Sequence, residues 1–203
     1  MNRSQFSTLT PDECDKLLSH LQHPQNNKAP PRVHHRNYTM ALLMLDTGCR
    51  VGELVQLEQS QLIFNSTPVN SLTIFKHQAK NKHERTIPTS SRLRDALEQM
   101  SRQWWTTDHD RGTPYAFYAT WCMRPLTVRQ AQRIITSAGK LSIGRDIHPH
   151  LLRHTFATRL MTKTSMRVVQ ELLGHKNLSS TQIYTHPNSE DLKKAIDSLD
   201  KKK

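Results

Sequence analysis

The chain is short of the features that mark stapled, metal-clustered or membrane-bound proteins. Its three cysteines, Cys14, Cys49 and Cys122, lie far apart, and no CxxC pair occurs. An odd count without paired spacing argues against a disulfide framework or a cysteine zinc site, and for a reducing compartment. No apolar run approaches membrane-spanning length, and the opening MNRSQFSTLT lacks the apolar centre of a signal peptide. The expected location is therefore the cytoplasm or the nucleoid, with no membrane partner. Neither HExxH nor carboxylate-rich spacing accompanies the twelve histidines, including His34-His35 and the trio His148, His150, His154. No metal site and no cofactor are expected from such a pattern. Acidic residues are also scarce, 17 against 29 Lys and Arg, which leaves a net charge of +12 on 203 residues. That excess fits a polyanionic partner held through its phosphates, although a merely basic protein would carry it too.

Two hundred and three residues suit one domain with a core of its own. The order of elements predicts a mainly α fold with a small antiparallel β-hairpin (α+β), as one domain over 1–203. Residues 1–7 read as a flexible lead. Thr10-Pro11-Asp12-Glu13 is an N-cap, a proline at the first helical position and a glutamate placed to close a capping box, so a helix runs to about Gln22. The proline-rich loop PQNNKAPPR ends it. In RNYTMALLMLDTG, Tyr38, Leu42 and Leu45 fall at helical spacing and Gly48 is placed to cap. RVGELVQL reads as a short helix or turn. SLTIF (71–75) and ERTIP (84–88) are short β-branched segments around a polar tip, HQAKNKH. Helical patterns follow in SRLRDALEQMSRQWW, TVRQAQRIITSAG, PHLLRHTFATRLM and MRVVQELLG, with TTDHDRGTPYAFYATWCMRP irregular between the first two. An SSTQIYT turn comes next, then an amphipathic SEDLKKAIDSLD and a lysine tail within 188–203. Trp104-Trp105 fits a helix end packed into the core better than a base-stacking platform.

Three arginine- and histidine-bearing segments carry the chemistry. In HPHLLRHTFAT (148–158), Pro149 suits a first helical position, which puts His150 and Arg153 on one face of the first turn, roughly 5–6 Å apart at Cβ. Leu152 and Phe156 point to another face and are core candidates. Taken alone, Arg153 and His154 also fit a solvated basic face. In TGCRVGEL, Arg50 follows a glycine cap, and Glu53 three residues on can orient its guanidinium. The plainer reading is a surface ion pair worth ~0–1 kcal/mol. In LLGHKNLSSTQIYTH (172–186), His175 stands just past the glycine cap Gly174, and Tyr184 follows nine residues later. A phenol with a pKa near ~10 becomes a nucleophile only if neighbours take its proton or stabilise the phenolate. His150 is the candidate base, helped by the field of Arg50 and Arg153.

TGCRVGELVQL, AKNKHERTIP, HPHLLRHTFATRL and LLGHKNLSSTQIYTH, in this order, resemble the tyrosine recombinase (phage integrase) family, and the C-terminal third is most like the Xer chromosome-dimer recombinases. The resemblance spans about residues 9–192. It implies the catalytic-domain fold of that family and a metal-independent, site-specific recombinase that cuts and rejoins DNA through a 3′-phosphotyrosyl intermediate. Arg50 matches the first catalytic arginine, His150 and Arg153 the His-x-x-Arg pair, His175 the further phosphate-binding histidine and Tyr184 the nucleophile. Lys80 matches the hairpin lysine that protonates the departing 5′-oxygen, with Lys82 as the alternative register.

The implied partners are double-stranded DNA bearing specific recombination sites and further copies of the chain, as a tetramer on two DNA sites. Host DNA-bending proteins are further partners. SEDLKKAIDSLD fits the segment that relatives exchange between subunits, or else packs on its own domain. Most relatives carry an N-terminal DNA-binding domain, whereas only 49 residues precede Arg50 here. The chain thus reads as a fragment or as a short form resembling the fimbrial-switch invertases. Integration, excision, inversion and dimer resolution all remain open at this level. So do a catalytically silent DNA-binding relative and type IB topoisomerase-like nicking and rejoining.

Overall fold

The computed structural model describes residues 8–24, 29–79, 82–105, 112–119 and 121–174. The lead 1–7, Lys80, His175, Tyr184, the SSTQIYT turn and the segment 188–203 lie outside them.

Helix α1 (Pro11–Gln22) begins as its capping box requires. The Thr10 hydroxyl accepts from the Glu13 N–H at 3.2 Å, and the Glu13 carboxylate accepts from the Thr10 N–H at 2.8 Å. Helix α2 (Pro31–Thr47) starts inside the proline-rich stretch, earlier than the apolar spacing indicated, because a proline at the first helical position gives up no helical hydrogen bond. Nearly every side chain of α2 from Thr39 to Leu45 is buried, as expected of a helix enclosed on all sides. It packs against α1, against α4 (Ser91–Met100) and against α6 (Pro149–Met161). Gly48 then ends it in a left-handed cap.

Between α3 (Val51–Leu54) and α4 lie two antiparallel two-stranded sheets, one more hairpin than the sequence announced. The first, β1 (Ile63–Phe64) with β2 (Thr67–Pro68), is closed by Asn65 and Ser66, both at positive φ. The second pairs β3 (Ser71–Ile74) with β4 (Arg85–Pro88) in the register Leu72 to Ile87 and Ile74 to Arg85. Past α4 a single π-helical turn, Ser101–Trp105, carries the tryptophan pair. Trp105 is buried and Trp104 packs on the same core, so the packed-end reading holds.

The segment read as irregular contributes two isolated bridges, Glu58 with Tyr115 and Tyr118 with Pro125, and a buried Phe117. Helix α5 (Val128–Ile143) runs through Gly139 rather than stopping there. A Cβ at that position would sit 2.3 Å from the Ile147 side chain, so the glycine marks a close approach of the next segment and not a helix end. Helices α6 and α7 (Met166–Leu173) pack on each other through a small second core of Phe156, Ala157, Val169 and Leu173. Both core candidates of α6, Leu152 and Phe156, are buried. Among the described residues no helix is long and apolar enough to cross a membrane.

Candidate active site

Arg50 leaves the Gly48 cap in extended conformation and becomes the N-cap of α3. Its backbone N–H donates to Glu53 Oε2 at 2.8 Å and its Nη1 donates to Glu53 Oε1 at 3.0 Å. Glu53 is not half of a surface pair, because its side chain is only 1% exposed. Arg85, which the sequence reading passed over, donates from Nη1 to Oε1 at 3.0 Å and from Nη2 to Oε2 at 2.6 Å. Burial alone would raise the Glu53 pKa. The Arg85 hydrogen bonds and charge, followed by the backbone N–H and charge of Arg50, outweigh it and hold the carboxyl below its ordinary value. The available signal was strand alternation, since Arg85 shares the buried face of β4 with Ile87.

Helix α6 starts at Pro149 with His148 as its N-cap, the ring Nδ1 accepting from the Leu151 N–H at 3.2 Å. That start places His150 and Arg153 in the first turn. Arg153 and His154 do not form a solvated face, for both are buried. The Arg153 Nη1 donates to the Gly48 carbonyl and its Nη2 to the Leu173 carbonyl at 2.8 Å, so the group joins the ends of α2 and α7. The His150 ring reaches solvent and stacks beside His148, while His154 meets it edge-on at a centroid distance of 4.2 Å. Partial burial, then the charges of Arg153, His148 and Arg50, lower the His150 pKa, which keeps the ring unprotonated at neutral pH and able to accept a proton.

One cavity of about 590 Å³ is lined by Arg50, His150 and Arg153 together with His77, Gln78 and Ala79 from the hairpin. Cys49 lies in its wall, fully buried, its thiol pushed up to about 12 by burial and then by Glu53. It therefore stays protonated and is no nucleophile. The buried Gln78 side chain anchors the hairpin from below. It donates to the Gln56 carbonyl at 2.9 Å, exchanges contacts with the Gln61 amide, and accepts from the Phe75 N–H at 3.2 Å. Ala79 precedes Lys80 in the chain. Lys82 is exposed, at positive φ, with its N–H donating to the Ala79 carbonyl at 2.9 Å. Neither His77, Gln78 nor the His148 cap was singled out by the sequence as part of this site.

Three of the six candidate residues, Arg50, His150 and Arg153, are thus brought into one cavity. Lys80, His175 and Tyr184 fall outside the described residues. Helix α7 nevertheless ends in a left-handed Gly174 cap, one residue after the carbonyl that Arg153 holds, and His175 is next in the chain. Among the described residues, no group of three or more His, Cys, Asp and Glu side chains is arranged to take a metal ion.

The model of the phage integrase family matches residues 7–191. The tyrosine recombinase XerC of Bacillus pumilus (strain SAFR-032) is 39% identical over 165 residues, which are 78% of this chain and 52% of that protein. A tyrosine recombinase of Pseudothermotoga lettingae is 35% identical over 192 residues, 94% of this chain and 60% of that one. Among solved structures, XerA recombinase superposes with a TM-score of 0.75 at 24% identity, covering 100% of this chain and 67% of that chain. XerH recombinase bound to its difH substrate in a pre-cleavage complex gives 0.66 at 24%, covering 100% and 57%. At those identities the solved structures establish the fold alone. The chain spans between half and two thirds of the length of these two sequence relatives.

Proposed function

Because the chain belongs to the phage integrase family, we propose that it is a site-specific DNA recombinase, cutting and rejoining DNA through a 3′-phosphotyrosyl intermediate without a metal or cofactor. The observation that carries this reading is the convergence of Arg50, from the start of α3, with His150 and Arg153, from the first turn of α6, on one cavity. Guanidiniums suit the non-bridging oxygens of a phosphodiester, and a guanidinium has five N–H donors. Arg153 lines the cavity while it holds the Gly48 and Leu173 carbonyls.

In the proposed reaction the Tyr184 hydroxyl attacks the phosphorus and passes its proton to His150. The bond to the 5′-oxygen breaks, and Lys80 supplies the proton that leaves with it. Ala79 on the cavity wall and the Gln78 anchor support Lys80 over Lys82 for this role. Arg50, Arg153 and His175 stabilise the charge on the pentacoordinate phosphorus, which is where electrostatic catalysis acts most strongly. A 5′-hydroxyl from a partner strand reverses the step, so the bond energy is conserved in the phosphotyrosine. A tetramer on two double-stranded DNA sites, exchange of the segment within 188–203 between subunits, and assistance from host DNA-bending proteins belong to the same proposal. So do action as a single domain and a nucleoid location.

The test is a pool of nicked duplexes of randomised sequence, incubated with the full chain and resolved under denaturing conditions. A denaturant-stable protein–DNA adduct with an enriched sequence is expected, and Tyr184→Phe should give none. DNA retention with no adduct would make the chain a silent binding relative. Supercoil relaxation without site preference would reassign it to topoisomerase-like chemistry.

A further inference from the structure

We infer that Arg85 is a positioning residue for this reaction: its buried guanidinium grips Glu53 and the end of α7 together, so that Arg50 and the exit of α7 share one geometry. The inference rests on the recombinase reading for the reaction, and on the geometry for the coupling. The Arg85 and Glu53 side chains are 2% and 1% exposed. The fork of Arg85 takes both carboxylate oxygens, and the same carboxylate holds Arg50 through its backbone N–H and its Nη1. Rotation of Glu53 therefore moves Arg50.

The third donor of the same guanidinium, Nε, reaches the Leu172 carbonyl at 3.0 Å. Arg153 takes the next carbonyl, Leu173, at 2.8 Å. Two arginines thus hold consecutive carbonyls at the C-terminal end of α7, where the helix concentrates negative potential. The fit is close: a Cβ on Gly174 would lie 3.0 Å from Arg85 Cδ, at a backbone φ of +63°. Arg85 also opens β4, the strand returning from the hairpin tip that carries Lys80. One side chain so links the hairpin strand, the support of Arg50 and the residues just before His175.

Fold stability alone explains this poorly. An apolar pair of similar volume usually fills such a position at no loss, whereas a buried ion pair repays its desolvation only through exact geometry. What the pair adds is orientation, and a small misplacement of a catalytic group has large kinetic consequences.

Arg85→Lys keeps the charge beside Glu53 but cannot span the carboxylate and the Leu172 carbonyl together. Single-turnover cleavage is measured with the full chain on the nicked duplex recovered from the selection above, in the native and the Arg50→Lys backgrounds. Arg85→Lys should leave DNA affinity within about twofold and slow cleavage by at least about tenfold in the native background, yet by a smaller factor when Arg50 is already altered, the remainder coming from the loosened end of α7. A loss of equal factor in both backgrounds, or no loss, overturns the inference and leaves the recombinase reading standing. Absence of any adduct from the unaltered chain overturns both. Should Arg85→Lys melt below the assay temperature, Glu53→Gln, which keeps the shape of the buried pair, goes through the same cycle under the same criterion.

Discussion

Two ion pairs flank the C-terminal end of α2, and they differ in nearly everything that sets the worth of a charge. Glu53 and Arg85 are sealed from water, their contacts bidentate, and the carboxylate is shared with Arg50. Asp46 and Arg92 tie α2 to the first turn of α4, with the arginine side chain 42% exposed and the aspartate also accepting from the Ser90 hydroxyl. Glu53 of the sealed pair lines the cavity, whereas Asp46 and Arg92 line a separate one. The buried bidentate pair stands beside the candidate catalytic groups, whereas a buried cation away from them, Arg36, is held by neutral oxygens, the Tyr118 carbonyl and Asn37 Oδ1.

The comparison is broken most directly by removing one acid at the sealed site. Glu53→Ala strands the Arg85 charge in the interior and should cost about 3–5 kcal/mol, because the desolvated partner keeps its penalty and loses its compensation. Urea denaturation of the purified chain reads this. A loss below that of the wet pair would mean that Arg85 finds water or another acceptor, and the contrast between the two regions would fail.

The histidine trio sharpens the same contrast through pH. His154 is buried and its pKa is lowered to about 4, by burial first and then by His150, His148 and Arg153. A folded-state value below the ordinary 6.5 means that the unfolded chain takes up the proton more readily. The stabilisation is therefore complete above about 6.5 and is lost as the pH falls from there towards 4. About 3 kcal/mol should disappear across that window, and His154→Gln should flatten the profile. An unchanged slope in His154→Gln would assign the acid sensitivity to other groups.

Local signals were legible in the sequence wherever a single backbone event decides the outcome. The Thr10–Glu13 box, Gly48, Pro149 and Gly174 each sit where the helices begin or end. Two elements were hidden for physical reasons. Strands β1 and β2 have two residues apiece, too few for alternation to register, and their turn depends on positive φ at Asn65 and Ser66. Gly139 looked like a stop but serves the approach of Ile147. Arg50, His150 and Arg153, which line one cavity, stood out because their order and spacing match the motifs of the family. Arg85 did not, since a lone arginine in a strand reads as solvated until tertiary packing shows which face is covered. The same limit applied to Glu53, whose partner three residues away was visible and whose partner thirty-two residues away was not.

The smallest effect is expected at the wet pair, and it is the control that gives the others meaning. In Arg92→Ala the Asp46 carboxylate keeps the Ser90 hydroxyl and gains water where the arginine stood. With its arginine 42% exposed, though its aspartate is only 8% exposed, the pair contributes at most about 1 kcal/mol, further reduced by salt. The α4 start is held separately by the Ser90 oxygen, which accepts from the Leu93 N–H at 3.2 Å. Arg92→Ala should therefore shift the urea midpoint only slightly, and the shift should shrink in 1 M salt, where the screening length falls to about 3 Å. Glu53→Ala should keep most of its larger loss in the same salt, because ions cannot screen charges that water does not reach. Equal salt sensitivity of the two variants would show that the interior pair is hydrated after all, and would remove the physical basis for treating Arg85 as a rigid link.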